Sequence, residues 1–211
     1  MGREAPRLSH VPVRVAPGRR IVQLFAGLCL YGMSTALMVR GGLGLNPWNV
    51  LHEALSKRTG LSIGQVTAIV GAVLLLCWIP LRERPGVGTI ANILVIGVAA
   101  DVTLAVLDRP EPLLARIVLL VASVALNGLA AATYLGVRLG PGPRDGLMTG
   151  LAARTPLSIR LIRTGLEITV LAAGWLLGGT VGIGTVLYAL AIGPLAQAFL
   201  PLVAWRGRMP E

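Results

Sequence analysis

The stretch LNPWNVLHEALSKRTGLSI (residues 45–63) recurs in altered form as PGPRDGLMTGLAARTPLSI (residues 141–159). Both contain a proline, two leucines, an Arg-Thr pair and a Leu-Ser-Ile triplet, at a constant offset of 96 residues. The match extends without a gap over residues 20–104 and 116–200, where about a third of the positions are identical. Chance identity is several times lower even in a composition rich in Leu, Ala and Gly, so the chain is an internal duplication.

The composition excludes an ordinary soluble domain, because 55% of the residues are hydrophobic and 13% are charged. Apolar segments long enough to cross a hydrocarbon core of about 30 Å lie at residues 21–39, 61–81, 86–107, 117–137, 157–177 and 181–203. Each copy holds three of them, and an odd number of crossings turns the second copy upside down in the membrane. The predicted fold is therefore an all-α membrane protein of six transmembrane helices, arranged as two inverted three-helix repeats.

The predicted order along the chain is a flexible cytoplasmic tail (residues 1–19), a first repeat (20–115), a second repeat (116–205) and a cytoplasmic end (206–211). The first apolar segment is interpreted as an uncleaved helix, since its counterpart at residues 117–137 is internal. With the N-terminus inside, 14 basic residues fall on the cytoplasmic side and 5 outside. The positive-inside rule then places both termini in the cytoplasm. The net charge of +10 reflects this topology, and no nucleic-acid partner is expected.

A short helical pattern lies between the first two spans of each copy, and Pro47 and Pro143 stand at its first helical positions. Proline is tolerated there because the missing N–H would have no helical partner. Each copy is thus predicted to contain a half-helix of about ten residues. Two placements remain open: re-entrant helices that line a cavity, or amphipathic helices lying at the membrane surface, with Trp48 as an anchor.

Glu167 is the residue that most clearly suggests a site, because it lies near the middle of the fifth predicted span. A carboxylate at that depth is costly and usually functional. Arg163 and Arg160 lie one and two turns before it, on a face expected to point into the bundle. The alternative is a structural ion pair, which is weak evidence for stability. The counterparts of Glu167 and Arg163 in the first copy are Gly71 and Thr67, so the pair occurs in one half only.

The openings of the half-helices are the second candidate, because the N-terminus of a helix attracts anions. The residues placed there are Asn46, Asn49 and His52 in the first copy and Arg144 and Asp145 in the second. Capping of its own helix is the expected role of Asp145. The predicted substrate-binding residues are accordingly Asn49, Arg144, Asp145, Arg160, Arg163 and Glu167.

The remaining polar residues have plainer interpretations. Hydrogen bonding between helices is expected for Asn92, Asn127 and Gln197. Cys29 and Cys77 are expected to be buried apolar fillers. His52 and Glu53 are adjacent on a helix and cannot chelate a metal. No catalytic set, metal site or cofactor motif is present, so no enzyme is predicted.

Four segments of this chain resemble the YczE/YitT-like family of bacterial integral membrane proteins. They are GLGLNPWNVLHEALSKRTGLSIG (42–64), RPGVGTIANILVIG (84–97), GPGPRDGLMTGLAARTPLSIRLIRTGLE (140–167) and GWLLGGTVGIGTVLYALAIGPLAQ (174–197). The resemblance implies a multi-pass protein of the bacterial cytoplasmic membrane, in a family whose function is largely unassigned. The family's GPRDGL stretch falls on residues 142–147, and its Arg–Glu face on Arg163 and Glu167.

The functional hypothesis is a small secondary transporter or permease, with its site between the repeats near the midplane. The expected partners are the lipid bilayer and an unknown small-molecule substrate, for which the arginines favour an anion; homo-oligomerisation is left open. The competing hypothesis is an accessory protein that binds or stabilises another membrane component without transporting anything. A water-accessible cavity that reaches Glu167 favours transport, and a dry, tightly packed Arg163–Glu167 contact favours the accessory role.

Overall fold

The computed structural model describes residues 16–204, which form eight helices and no strand. The helices are α1 (Pro17–Gly41), α2 (Pro47–Thr59), α3 (Ile63–Leu81), α4 (Val87–Val106), α5 (Leu113–Gly136), α6 (Pro143–Ala152), α7 (Ile159–Leu176) and α8 (Ile183–Val203). Each of the first four begins 96 residues before its counterpart among the last four. Residues 1–15 of the predicted tail and the predicted end at 206–211 lie outside the described residues. Helix α1 begins at Pro17, so it includes the last three positions of the predicted tail.

Several helices start at residues that favour the N-terminus of a helix. Proline occupies the first position of α1, α2 and α6. Serine caps α3 and α7: Ser62 accepts the N–H of Gln65, and Ser158 accepts that of Leu161. The prediction of a short helix starting at each loop proline is confirmed for α2 and α6.

Helices α1, α3, α4, α5 and α8 are long and apolar enough to cross a membrane. Helix α7 coincides with the predicted span at residues 157–177 but does not belong to this set. Its 18 residues include Arg160, Arg163 and Glu167, and these charges lower its overall hydrophobicity. The crossing of the membrane by α7, and with it the six-span fold, stays a prediction.

Several helix pairs join the two copies. Helices α1 and α5 form the centre; α4 packs on α1 as α8 packs on α5, and α2 packs on α7 as α6 packs on α3. The loops before the short helices also cross between copies. Gly88 N–H donates to the carbonyl of Leu139 at 2.9 Å, and Gly184 N–H donates to that of Leu43 at 2.8 Å.

Glycine makes these loop contacts possible. Gly44 and Gly140, each just after one of those carbonyls, have φ of +116° and +125°, a conformation that other residues rarely adopt. A Cβ on Gly44 would lie within 2.9 Å of the backbone of Gly182. The two loops therefore dock directly against the first turns of α8 and α4.

One pair of interfaces breaks the correspondence between the copies. Helices α3 and α4 pack closely, because Gly64 meets Gly97, and Asp101 accepts Ser62 Oγ–H at 2.5 Å and Gly64 N–H at 2.8 Å. Helices α7 and α8, their counterparts, share almost no contact. A Cβ on Gly193, the counterpart of Gly97, would have no neighbour within 4 Å among residues 16–204. One half is thus closed where the other is open.

The prediction that both cysteines are buried is wrong. Cys29 and Cys77 are exposed on α1 and α3. Both helices turn their other faces to the bundle, which leaves these thiols on the outer surface.

Gly146→Ala is expected to destabilise the protein by about 1–3 kcal/mol, the range for overpacking a filled interior. A Cβ on Gly146 would overlap the indole of Trp78, which is 1% exposed and donates Nε1–H to the carbonyl of Pro143 at 2.9 Å. Trp78 therefore cannot move aside easily. Thermal unfolding in detergent measures the effect.

Gly165→Ala is the matched control, because a Cβ on Gly165 meets nothing within 4 Å. Alanine is favoured over glycine inside a helix by up to about 1 kcal/mol. The control should melt at or slightly above the wild-type temperature. Equal melting of the two variants would contradict the close packing of α6 on α3.

Candidate functional site: a cavity where the two short helices meet

A central cavity of about 280 Å³ lies where the N-termini of α2 and α6 approach each other. Helices α1, α4, α5, α7 and α8 supply the rest of its wall. Its polar and aromatic lining residues are Tyr31, Asn46, Trp48, Asn92, Asn127, Tyr134, Arg144, Asp145, Arg163, Glu167, Tyr188 and Gln197. The cavity thus holds two cationic and two anionic side chains.

The two short helices meet through equivalent residues. The guanidinium of Arg144 lies 4.9 Å from the centroid of the Trp48 ring, and these positions are 96 residues apart. This distance is within the range of a cation–π contact. Trp48, Asn49 and Val50 are buried, so the first half of α2 lies inside the protein and not on its surface. This burial favours the cavity-lining placement of α2 over the interfacial one.

Asp145 caps its own helix, as predicted. Its Oδ2 accepts the N–H of Gly142 at 3.2 Å and the hydroxyl of Tyr134 at 2.9 Å. The first bond closes the N-terminal turn of α6, and the second ties that turn to α5. The carboxylate is half-buried and faces the cavity.

Arg163 and Glu167 form the expected ion pair, with Nε 2.9 Å from Oε1. Both line the cavity on the side formed by α7. Their side chains are 50% and 35% exposed, so the pair is not enclosed by the protein. The cavity reaches Glu167.

Two of the predicted site residues do not line the cavity. The backbone N–H of Asn49 is bound by Asn46 Oδ1 at 2.9 Å, and its side-chain amide donates to Thr35 Oγ1 at 3.3 Å. These bonds turn Asn49 toward α1. Arg160 lies in the first turn of α7 and is exposed. Of the six predicted residues, the cavity therefore brings together four: Arg144, Asp145, Arg163 and Glu167.

Sequence reasoning missed the tyrosines. Tyr188 OH donates to Asn127 Oδ1 at 3.0 Å, and Asn127 Nδ2 donates to Ser34 Oγ at 2.7 Å, which links α8, α5 and α1 at the cavity wall. The expectation that Asn127 bonds between helices is confirmed. A signal existed for Tyr31, since it lies in the middle of α1, away from the helix ends where tyrosines anchor to the membrane interface.

His52, which the sequence places at the opening of the first half-helix, does not line the central cavity. It is 1% exposed, and its Nδ1 lies 3.0 Å from Thr67 Oγ1. Its Nε2 is buried and has no hydrogen-bond partner among residues 16–204. A side chamber of about 20 Å³ adjoins the imidazole, and its lining also includes Asn92 and Arg144.

The far end of α2 is tied to the loop between α7 and α8. Glu53 accepts the N–H of Thr180 at 2.6 Å and its hydroxyl at 3.1 Å. It also pairs with Lys57 at 3.0 Å, and Arg58 Nε donates to the carbonyl of Leu177 at 2.9 Å. These bonds close the end of the bundle that lies beyond α2. Across residues 16–204, no three His, Cys, Asp or Glu side chains come together as metal ligands.

Comparison with known proteins gives three relatives. An uncharacterized protein of Haemophilus influenzae is 41% identical over 90% of this chain and 85% of its own length. The uncharacterized membrane protein YczE of Bacillus subtilis is 33% identical over 84% of this chain and 83% of its own length. The uncharacterized protein YyaS of Bacillus subtilis is 27% identical over 84% of this chain and 90% of its own length. No solved structure matches this one.

The family resemblance predicted from the motifs is confirmed by these relatives, two of which are YczE and YyaS. With its five membrane-length apolar helices, the chain is a multi-pass membrane protein. The family model that matches residues 18–201 is described as a family of unknown function, DUF6198. The chain belongs to this family.

Proposed function

We propose that this protein is a small secondary transporter or permease whose substrate binds in the central cavity. The observation that carries the proposal is the meeting of two short-helix N-termini, one from each copy, around a cavity that reaches Glu167. Broken or short helices that present their N-termini to a cavity between repeats are typical substrate sites of transporters. The accessory role is the weaker alternative, because the Arg163–Glu167 pair borders a cavity and is not tightly packed.

The proposed fold is six spans in two inverted repeats, in the bacterial cytoplasmic membrane with both termini inside. The common 96-residue offset of all four helix starts and the matching helix pairs support it. With this orientation, the first turns of α7 and the last turns of α8 belong to the cytoplasmic half. The cavity then opens toward the cytoplasm between α7 and α8, and the bonds of Glu53 and Arg58 close the outer end.

The difference between the two interfaces supplies the proposed transport cycle. In an inverted repeat, the two halves exchange conformations between the inward-open and the outward-open state. In the outward-open state, the second half therefore adopts the closed arrangement that the first half has in this structure. Helices α7 and α8 then pack together, and α3 and α4 separate at Asp101. In this cycle Arg144 contacts the substrate, Arg163 is the partner of Glu167, and Glu167 carries the coupling proton or cation.

Cysteine accessibility tests this proposal at two equivalent positions. Leu166 lines the open cavity, and Val70, 96 residues earlier, lies at the closed side chamber. With Cys29 and Cys77 replaced by alanine, Leu166→Cys is expected to react with an impermeant thiol reagent only in inside-out vesicles. Val70→Cys is expected to react slowly, and only in right-side-out vesicles.

Each other labelling pattern contradicts part of the proposal. Reaction of Leu166→Cys from both sides at once indicates an open pore. Complete protection of Val70→Cys in folded, membrane-inserted protein indicates a fixed cavity, which fits the accessory role. Reaction of both positions from the same face contradicts the inverted repeat.

A further inference from the structure

The charges of the central cavity are not equally satisfied. Glu167 is paired with Arg163 at 2.9 Å, and Asp145 accepts hydrogen bonds from Gly142 and Tyr134. The guanidinium of Arg144 is different. Among residues 16–204 it has no hydrogen-bond acceptor and no carboxylate at ion-pair distance, and its one contact is with the face of Trp48. The N–H donors of the Arg144 guanidinium are therefore available to a ligand in the cavity.

The surroundings of Arg144 add further donors without acceptors. Trp48 and Arg144 are the second residues of α2 and α6, so their backbone N–H groups have no acceptor within their own helices. The positive ends of both helix dipoles point toward the same part of the cavity. A planar guanidinium beside free N–H groups matches the two oxygens of a carboxylate or phosphate.

His52 indicates independently that a polar molecule lies in the side chamber beside Arg144. The hydroxyl of Thr67 donates to the carbonyl of Ile63 at 2.8 Å, so it can only accept from His52 Nδ1–H. Nε2 is then an acceptor, buried and unpartnered, facing the side chamber that Arg144 also lines. The chamber of about 20 Å³ has room for one water. A water that accepts from Arg144 and donates to Nε2 would hold the guanidinium with its other donors facing the central cavity.

The size of the cavity and the residues that line it limit the uncharged part of a ligand that binds there. The cavity of about 280 Å³ lies at the lower end of the range of small-molecule sites in proteins, so it has room for a small organic molecule. The cavity lining also includes apolar side chains, among them Leu166, Ile192 and Ala196. A bare inorganic ion would leave this wall unfilled.

We propose that the central cavity binds a small organic oxyanion of about amino-acid size. Its carboxylate or phosphate lies on Arg144 and the first-turn N–H groups of Trp48 and Arg144, and its apolar body lies along Trp48, Leu166 and Ile192. This proposal rests on the proposed function, because it names the substrate class of the same site. Binding is nevertheless measurable without transport.

Isothermal titration of the purified full-length protein in detergent tests the proposal. The probes are benzoate and phenyl phosphate, with benzamide as the uncharged analogue of the same shape, and acetate and inorganic phosphate as charged groups without a body. Benzoate or phenyl phosphate is expected to bind at least tenfold more tightly than benzamide. Acetate and inorganic phosphate are expected to bind more weakly than their aromatic counterparts. The comparison of the two aromatic oxyanions distinguishes a carboxylate from a phosphate site.

Arg144→Gln should weaken the binding of the preferred oxyanion at least tenfold. Arg160→Gln, which removes the same charge from an exposed position outside the cavity, should leave binding unchanged. Equal affinities of the two variants, equal binding of benzoate and benzamide, or no binding of any oxyanion at millimolar concentration would each overturn the proposal. The benzoate–benzamide comparison on the wild type decides the matter if Arg144→Gln does not fold.

The two proposals fail separately. If Val70→Cys and Leu166→Cys label as expected but only uncharged probes bind, the oxyanion is wrong and the transporter stands. If oxyanions bind through Arg144 but Val70→Cys is never labelled, the binding site stands and transport is wrong.

Discussion

Glu167→Gln is expected to bind oxyanions about tenfold more tightly than the wild type. The substitution removes a negative charge from the wall of the cavity and leaves Arg163 without its partner. A unit charge about 10 Å from the ligand contributes on the order of 1–2 kcal/mol at an effective dielectric constant of about 20, which is about tenfold in affinity. Titration calorimetry of the variant and the wild type under the same conditions measures the effect.

The double variant Arg163→Gln/Glu167→Gln separates this role from a structural one. It restores the net charge of the cavity, so its affinity should match that of the wild type. The pair is half-exposed, so breaking it should cost about 1 kcal/mol or less. A Glu167→Gln variant that melts much lower, binds oxyanions no more tightly and regains its melting temperature with the second substitution would show that Glu167 only neutralises Arg163.

A cysteine pair at Ser158 and Gln197 is expected to form a disulfide and, once formed, to block the reaction of Leu166→Cys completely. Their counterparts Ser62 and Asp101 are in contact, with a hydrogen bond of 2.5 Å between their side chains. If α7 and α8 close as α3 and α4 do here, Ser158 and Gln197 come equally close. The measurement is the mobility shift of the oxidised protein, followed by thiol labelling, in a background without Cys29 and Cys77.

The pair Ser62→Cys/Asp101→Cys is the matched control for this experiment. It should oxidise at once, because its positions are already adjacent, whereas the other pair should oxidise slowly. Rapid oxidation of the control without any oxidation at residues 158 and 197 would make the gap between α7 and α8 a permanent feature. Alternation between the two halves would then be wrong.

The elements of the fold could be predicted from local sequence, because the residues that start each helix act locally. Pro47 and Pro143 stand at the helix starts in both the predicted and the observed fold. The predicted spans that begin at residues 61 and 157 start two residues before α3 and α7, which Ser62 and Ser158 cap. The Arg163–Glu167 pair was equally predictable, since residues one turn apart on a helix lie on one face. The membrane crossing of α7 was less predictable than this ion pair, because the charged residues that suggest a site also lower the hydrophobicity of the helix.

The site itself depends on contacts that no local pattern encodes. Trp48 and Arg144 meet only because two helices from different copies point at each other. The burial of His52 and the turning of Asn49 toward α1 follow from which face of α2 packs inward. The sequence does contain a signal of the open interface between α7 and α8. Arg160 occupies the position that corresponds to Gly64 in the closed half, and the glycine allows α3 to approach α4 closely.

The crossed loops have a consequence for how the protein is made. Gly184 donates a hydrogen bond to the carbonyl of Leu43, and Gly88 donates one to the carbonyl of Leu139. Each copy therefore supplies a hydrogen-bond partner that the loop of the other copy needs. A nascent chain that has emerged only as far as α4 lacks the partner of Leu43 and the helix that covers α2. Maturation of the first half must therefore wait until the ribosome has synthesised α7 and the start of α8. The two copies expressed as separate polypeptides would each be incomplete, and stable protein should accumulate only when both are produced in the same cell.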